Sequence, residues 1–143
     1  MDSTTAKKII SCLFEKSDKW FNNRSSYGLK HDVEYYAKDN NINCDKYISN
    51  TDFKELMKEL NFEFKSIDNN DYYKLKPFID SKNLYKNKIK LHNLELKLDK
   101  LDLKIDKFKS YNVPFGHLNE EKNEILTKIN DIKLKVFGKP YIF

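Results

Sequence analysis

The residue types that most often carry catalysis or bind metals are sparse in this sequence. Three histidines are spread along the chain, at His31, His92 and His117. No two of them share a metal-binding motif, and the three glycines are isolated, so no glycine-rich phosphate loop is present. The acids Asp99, Asp102 and Asp106 share one predicted helix, and we interpret them as its solvated face. We therefore expect a non-enzymatic protein with no metal site and no cofactor.

A predicted helix that begins near residue 50 carries the side chains best suited to contact a DNA groove. It offers Asn50, Thr51, Lys54 and Lys58. The same helix also carries three acids, Asp52, Glu55 and Glu59. Phosphate neutralisation supplies most of the affinity for DNA, and these acids oppose it. The interpretation stays open between DNA binding and protein contact through this helix.

Lysines that follow this helix are better placed to contact a phosphate backbone. Lys65, Lys74 and Lys76 lie on a predicted β-hairpin. The densest cationic run comes next, at Lys82, Lys86, Lys88 and Lys90 with Tyr85 among them. Lys82, Lys86 and Lys90 are candidate phosphate contacts at the start of a long helix, and the alternative is that the run is the solvated flank of a coiled coil.

The positive charge is concentrated in the C-terminal part of the chain. The net charge of 143 residues is +5, but residues 1–80 hold 13 basic and 14 acidic residues, against 14 and 8 in residues 81–143. All but one of the basic residues are lysines, the exception being Arg24. Bidentate recognition of phosphate or guanine is therefore available at one position only.

Composition also limits the compartment and the class of protein. Cys12 and Cys44 have no C-x-x-C spacing, which favours reduced thiols in an intracellular protein. No secretory leader and no apolar run of about 18 residues is present, so we expect no membrane partner. With few glycines and prolines and a substantial apolar fraction, the chain is expected to be mainly α-helical.

The first 80 residues predict three helices and a hairpin. The helices are expected from Thr4 to about Asn22, from about Leu29 to Lys38, and from Ser49, Asn50 or Thr51 onward. Alternating runs on either side of the Asp/Asn tract 68–71 predict the hairpin. This order of elements is that of a winged helix with a short wing. The predicted organisation is a winged-helix-like domain over residues 1–80 and a helical region over 81–143.

Three stretches within residues 29–76 carry a resemblance to a known family. They are Glu34-Tyr-Tyr-Ala-Lys, the segment from Ile48 to Phe62, and Tyr72-Tyr-Lys-Leu. Together they resemble the C-terminal winged-helix segment of viral and phage primase-helicases of the D5 type. Asn61 stands where that family usually has glycine, and the chain lacks the primase and helicase motor. The resemblance implies a winged-helix fold and a large-DNA-virus setting, with a host cytoplasm, nucleus or viral-factory location, and it does not imply the family's enzymatic activity.

Residues 81–108 predict a long helix with one continuous apolar seam. Its a and d positions are Leu91, Leu94, Leu98, Leu101, Ile105 and Phe108. A helix with this seam needs a helical partner. A second predicted helix, residues 118–136, follows a break at Pro114 and Gly116 and could pair with the seam in the same chain. That pairing would bring Lys97 near Lys128 and Lys90 near Lys135. A parallel homodimer would instead set Lys90 and Lys97 opposite Glu95 and Asp102 of the second copy, whereas an antiparallel one would join like charges. We therefore favour a parallel homodimer with the six seam residues as its interface.

A second stripe on the long helix points to one more contact. Ile89, Leu96 and Leu103 recur every seven residues on the side opposite the seam. We expect the 118–136 helix to cover this stripe while the seam meets the second subunit. The sequence thus predicts a mainly α protein, a winged helix followed by a C-terminal coiled-coil helical hairpin. The expected function is a dimeric, DNA-binding protein of viral type, and the alternative is a scaffold that contacts other protein subunits.

Overall fold

The chain forms five α-helices and a three-stranded antiparallel sheet within residues 1–142, which are the residues that this computed structural model describes. In chain order the elements are α1 (Ser3–Leu13), β1 (Phe14–Phe21), α2 (Ser26–Asp39), α3 (Asn50–Glu59), β2 (Phe64–Ile67), β3 (Asn70–Pro77), α4 (Leu84–Ser110) and α5 (Gly116–Phe137). A short 3-10 turn, Ser81–Asn83, precedes α4. The prediction of a mainly helical protein is confirmed.

The chain divides into two compact units. The first comprises Met1–Phe78 together with residues 139–142, and the second comprises Ile79–Gly138. The first unit therefore contains α1, α2, α3 and the whole sheet, whereas the second contains α4 and α5. Residues 81–143 were predicted to form the helical region, but residues 139–142 cluster with the first unit.

The first helix is shorter than predicted, because a strand takes its second half. The helix was expected to reach about Asn22, but α1 ends at Leu13 and Phe14–Phe21 forms β1. The backbone of β1 pairs with β3, which is more than fifty residues further along the chain. Such long-range pairing overrides local helix preference. The prediction of a helix over residues 14–22 was wrong.

The sheet has the order β1-β3-β2, with β3 in the centre. The β2–β3 hairpin turns at Asp68 and Asn69, whose φ angles of 51° and 67° are left-handed. Asp and Asn tolerate this conformation well, and it suits the right-handed twist of a two-residue hairpin. The predicted hairpin is therefore present, and β1 adds a third strand that the sequence analysis did not anticipate.

The sheet packs its inner face on the helices of the first unit. Tyr73 is fully buried at the centre of β3, and its ring makes edge contacts with Phe53 and Phe62 at centroid distances of 6.2 and 6.5 Å. Ile9 and Val33 bring α1 and α2 into the same buried core. Aromatic pairs in this geometry add to the stabilisation from burial alone.

The two residues of the first unit that adjoin the second unit, Phe78 and Lys139, are both hydrogen-bonded to the end of α1. The Phe78 backbone N–H donates to the Leu13 carbonyl and the Lys139 N–H donates to the Cys12 carbonyl, each at 2.9 Å. The Tyr36 hydroxyl also donates to the Lys139 carbonyl. The chain thus leaves and re-enters this unit at neighbouring carbonyls.

In the second unit, α5 folds back on the seam of α4. The buried cluster consists of Leu91, Leu101, Ile105, Leu118, Ile125 and Ile129. The remaining seam residues, Leu94, Leu98 and Phe108, are partly buried against it. The six residues predicted to form a dimer interface therefore contact α5 of the same chain.

The second stripe of α4 stays exposed. Ile89 and Leu96 are nearly half exposed, and Leu103 is 71% exposed. The prediction that α5 covers this stripe and leaves the seam for another subunit was wrong. Only residues 111–115 join the two helices, so bringing α5 beside α4 costs little loop entropy. The seam has six apolar residues and the second stripe has three, so α5 buries more apolar surface on the seam.

Candidate nucleic-acid interface

The outer face of the sheet collects lysines and an aromatic ring. The buried residues of β3 are Asp71, Tyr73 and Leu75. Tyr72, Lys74 and Lys76 alternate with them and therefore belong to the opposite face. Tyr72 pairs with Lys65 on β2, and Lys74 pairs with Trp20 on β1. Cross-strand partners share a face of the sheet. We call this set, Trp20, Lys65, Tyr72, Lys74 and Lys76, the sheet platform.

Trp20 reaches the platform because β1 is irregular. The pairing runs regularly from Phe14 to Lys16, which lies opposite Leu75, and then resumes with Trp20 opposite Lys74. Without the irregularity, Ser17 would take the place opposite Lys74. Bulges commonly redirect a side chain in this way.

Two ammonium groups lie beside the indole ring. The Nζ atoms of Lys65 and Lys74 are 4.7 and 5.2 Å from the Trp20 ring centroid. Trp20 as a whole is 36% exposed. These distances fit cation–π contacts, which hold the charges near the ring without neutralising them. The platform therefore presents an aromatic surface and positive charge at the same place.

Carboxylates reduce this charge only in part. Lys74 forms an ion pair with Glu63 at 3.1 Å, and Glu15 pairs in register with Lys76 on the neighbouring strand. Within residues 1–142, neither Lys65 nor Lys76 makes an ion pair. Both remain available to an anionic ligand.

The predicted groove-contacting residues of α3 mostly have internal partners. Asn50 donates from Nδ2 to the Asn70 side-chain oxygen at 3.2 Å, and Lys54 donates from Nζ to the Asn69 carbonyl at 3.1 Å. They thereby connect α3 to the hairpin turn, a role that the sequence analysis did not foresee.

The exposed part of α3 is acidic. Thr51 and Lys58 are exposed, but Lys58 lies 3.7 Å from Glu55 in an ion pair. Asp52, Glu55 and Glu59 are all exposed. A helix with this surface repels a polyanion more than it attracts one.

The remaining predicted lysines belong to the second unit. Lys82 lies in the 3-10 turn, Lys86 and Lys90 lie on α4, and all three are exposed. Lys90 lines a groove of about 460 Å³. Its lining consists of Lys90, Asn93, Leu94, Lys97, Lys128, Asp131 and Ile132. Lys97 and Lys128, whose proximity was considered unfavourable for intrachain pairing, thus line the same groove.

Trp20 was not predicted as a site residue because it fell within the helix expected from Thr4 to about Asn22. The available clue was the run Glu15-Lys-Ser-Asp-Lys19, five consecutive polar residues. A helix that buries one side needs an apolar residue every three or four positions, so this gap contradicts a continuous amphipathic helix.

Comparison with protein-family models, with curated proteins and with solved structures finds no match to this chain. In residues 1–142, no helix combines the length and apolarity needed to cross a membrane. The same residues contain no group of three histidine, cysteine or acidic side chains placed to hold a metal ion.

Proposed function

We propose that this protein is a non-enzymatic nucleic-acid-binding protein, and that the sheet platform of a winged-helix unit is its main contact surface. The order α1-β1-α2-α3-β2-β3 supports the winged-helix assignment, with the β2–β3 hairpin as the wing. The observation that carries the proposal is the grouping of Lys65, Lys74 and Lys76 around Trp20. The large-DNA-virus setting rests on the resemblance to D5-type primase-helicases alone.

The binding would depend strongly on salt. If the three platform lysines neutralise three phosphates, the slope of log affinity against log salt is about −2 for a single strand and about −3 for a duplex. Additional contacts from Lys82, Lys86 or Lys90 would make the slope steeper.

Fluorescence anisotropy with labelled oligonucleotides at increasing salt tests this proposal. Lys65→Glu and Lys76→Glu are expected to weaken binding and reduce the slope. Lys38→Glu, an exposed lysine in the last turn of α2, makes the same charge change elsewhere in the first unit and should have little effect. Absence of binding at low salt would refute the proposal.

A homodimer would strengthen such a surface, and we propose that it forms through the second stripe of α4. This stripe is apolar and exposed. Asp99 and Asp106 follow one side of it, and Lys100 and Lys107 follow the other. In a parallel pair the acidic side of one helix faces the lysine side of its partner, whereas an antiparallel pair joins like charges. Two linked platforms would bind one strand with higher avidity than either alone.

Sedimentation at several protein concentrations tests the dimer. Leu96→Glu combined with Leu103→Glu should give a monomer. Asn123→Glu combined with Asn130→Glu, at two exposed positions of α5 that are also seven residues apart, should remain dimeric. A monomeric wild-type protein at high concentration would exclude this interface.

The second candidate function is a scaffold that contacts other protein subunits. The groove of the second unit favours it, because the lysines of its lining outnumber the single acid, Asp131, and lie together with the apolar Leu94 and Ile132. An amphipathic helix with acidic flanks is the complementary partner. Lack of nucleic-acid binding together with retained groove binding to such a helix would favour this candidate.

A further inference from the structure

The sheet platform contains the aromatic ring of Trp20, which a surface that binds phosphates by charge alone would not need. Trp20 lies on the outer face, partly exposed, with Tyr72 on the same face of the adjacent strand. We propose that the platform takes single-stranded nucleic acid and that a base stacks on Trp20. This inference rests on the proposed function and specifies its ligand.

The positions of the ammonium groups suit a nucleotide. A base that stacks on the Trp20 ring brings its own phosphates close to the ring edge. Lys65 and Lys74 have their Nζ atoms 4.7 and 5.2 Å from the ring centroid, so both ammonium groups lie within reach of such a phosphate. Lys74 would exchange its ion pair with Glu63 for this contact. Lys76, further along the outer face of β3, extends the positive charge along the strand. Aromatic surfaces flanked by cations are the usual way to bind single strands without sequence preference.

A duplex fits this surface less well. Its bases are stacked on one another, so their faces are closed to an indole ring. The element that would enter a major groove is α3, but its exposed side chains include Asp52, Glu55 and Glu59. Its Lys54 already donates to the Asn69 carbonyl. The described surfaces of the first unit therefore favour a single strand over a duplex.

Trp20 is the only tryptophan of the chain, so its fluorescence reports directly on the proposed contact. Oligothymidylate is the probe, and an oligonucleotide duplex of equal length is the comparison. We expect saturable quenching of Trp20 emission by oligothymidylate, with the same midpoint as anisotropy of the labelled strand. Trp20→Ala should weaken single-strand binding roughly 10- to 100-fold, and Trp20→Phe should lose less, because one ring still stacks.

Tyr35→Ala is the matched control, since Tyr35 is an aromatic residue of α2 in the same unit that is 60% exposed and belongs to neither the platform nor the predicted lysine contacts. It should leave single-strand binding unchanged. Far-UV circular dichroism identifies any variant that fails to fold. If Trp20→Ala is such a variant, the quenching of wild-type emission and the affinity of Trp20→Phe test the stacking contact instead.

The outcomes separate this inference from the proposed function. Salt-sensitive binding without Trp20 quenching, or preference for the duplex, would overturn the stacking inference and leave nucleic-acid binding in place. Absence of binding to both probes at low salt would overturn both. Quenching with a loss of affinity in Trp20→Ala supports both.

Discussion

Replacing Leu101 by alanine tests directly which apolar surface of α4 stabilises the second unit. Leu101 belongs to the seam and is 7% exposed, within the cluster that includes Ile125 and Ile129 of α5. Leu103 is two residues away on the same helix and is 71% exposed. The two leucines lie in the same helix, so the substitutions have equal effects on helix propensity.

The expected difference follows from burial. Leucine-to-alanine changes in protein cores cost about 2–5 kcal/mol, and the cost falls where the surroundings can close the cavity. The seam is a single layer of side chains between two helices, so we expect about 2–3 kcal/mol for Leu101→Ala. Leu103→Ala loses little buried surface and should change the free energy of unfolding by less than about 0.5 kcal/mol.

Urea unfolding followed by far-UV circular dichroism measures both changes, because α4 and α5 contribute 27 and 22 helical residues. It should be run at a protein concentration where the wild type is monomeric, so that self-association does not contribute. Equal destabilisation by the two variants, or a larger effect at Leu103, would refute the assignment of the seam to α5.

Two further predictions concern the first unit. Within residues 1–142 the buried Tyr73 hydroxyl has no hydrogen-bond partner, so Tyr73→Phe should raise the free energy of unfolding by up to about 1 kcal/mol. Urea unfolding monitored by Trp20 fluorescence measures this, and a loss of stability would contradict it. Hydrogen bonds from the Thr5 backbone N–H and then its hydroxyl lower the pKa of Asp2 below 3.8. The stability that this cap contributes is therefore present above about pH 4 and is lost as the pH falls through the lowered pKa. Asp2→Asn keeps an oxygen acceptor but does not titrate. The melting temperature of this variant should therefore fall less steeply than that of the wild type between about pH 4 and pH 2. Parallel plots of melting temperature against pH would refute the contribution of the Asp2 cap.

Local features of the fold could be predicted from the sequence. Ser49 was one of three expected starting positions for the third helix, and its hydroxyl accepts a hydrogen bond from the Asp52 backbone N–H at 3.0 Å. Asp68 and Asn69 form the expected hairpin turn. Caps and turns depend on neighbouring residues, so sequence patterns predict them well.

Features that depend on distant parts of the chain could not be predicted. β1 exists because β3 pairs with it, and the irregularity between Lys16 and Trp20 has no clear sequence pattern. The position of Trp20, and with it the candidate site, was therefore missed. Of the platform residues, only the hairpin lysines Lys65, Lys74 and Lys76 were predicted as binding residues.

The seam of α4 was predicted correctly as an apolar stripe, but its partner was not. Charge pairs at the edge of the seam were given priority, although exposed pairs contribute only about 0.2–1 kcal/mol each. Burying one leucine contributes about 1.5–3 kcal/mol. Lys97 and Lys128 share a groove because burial of the apolar seam outweighs the repulsion between their charges. Asp102 also gains an ion pair with Lys122 at 2.8 Å.

The neighbouring hydrogen bonds of Phe78 and Lys139 suggest a way to replace the second unit, residues 79–138, by another segment. Their acceptors are consecutive carbonyls, those of Leu13 and Cys12, and consecutive Cα atoms are about 3.8 Å apart. A short glycine linker could therefore replace residues 79–138 and leave the first unit with both ends of its chain in their native positions. A different oligomerisation module could be inserted at the same point, which would let the number of sheet platforms per assembly be set by design.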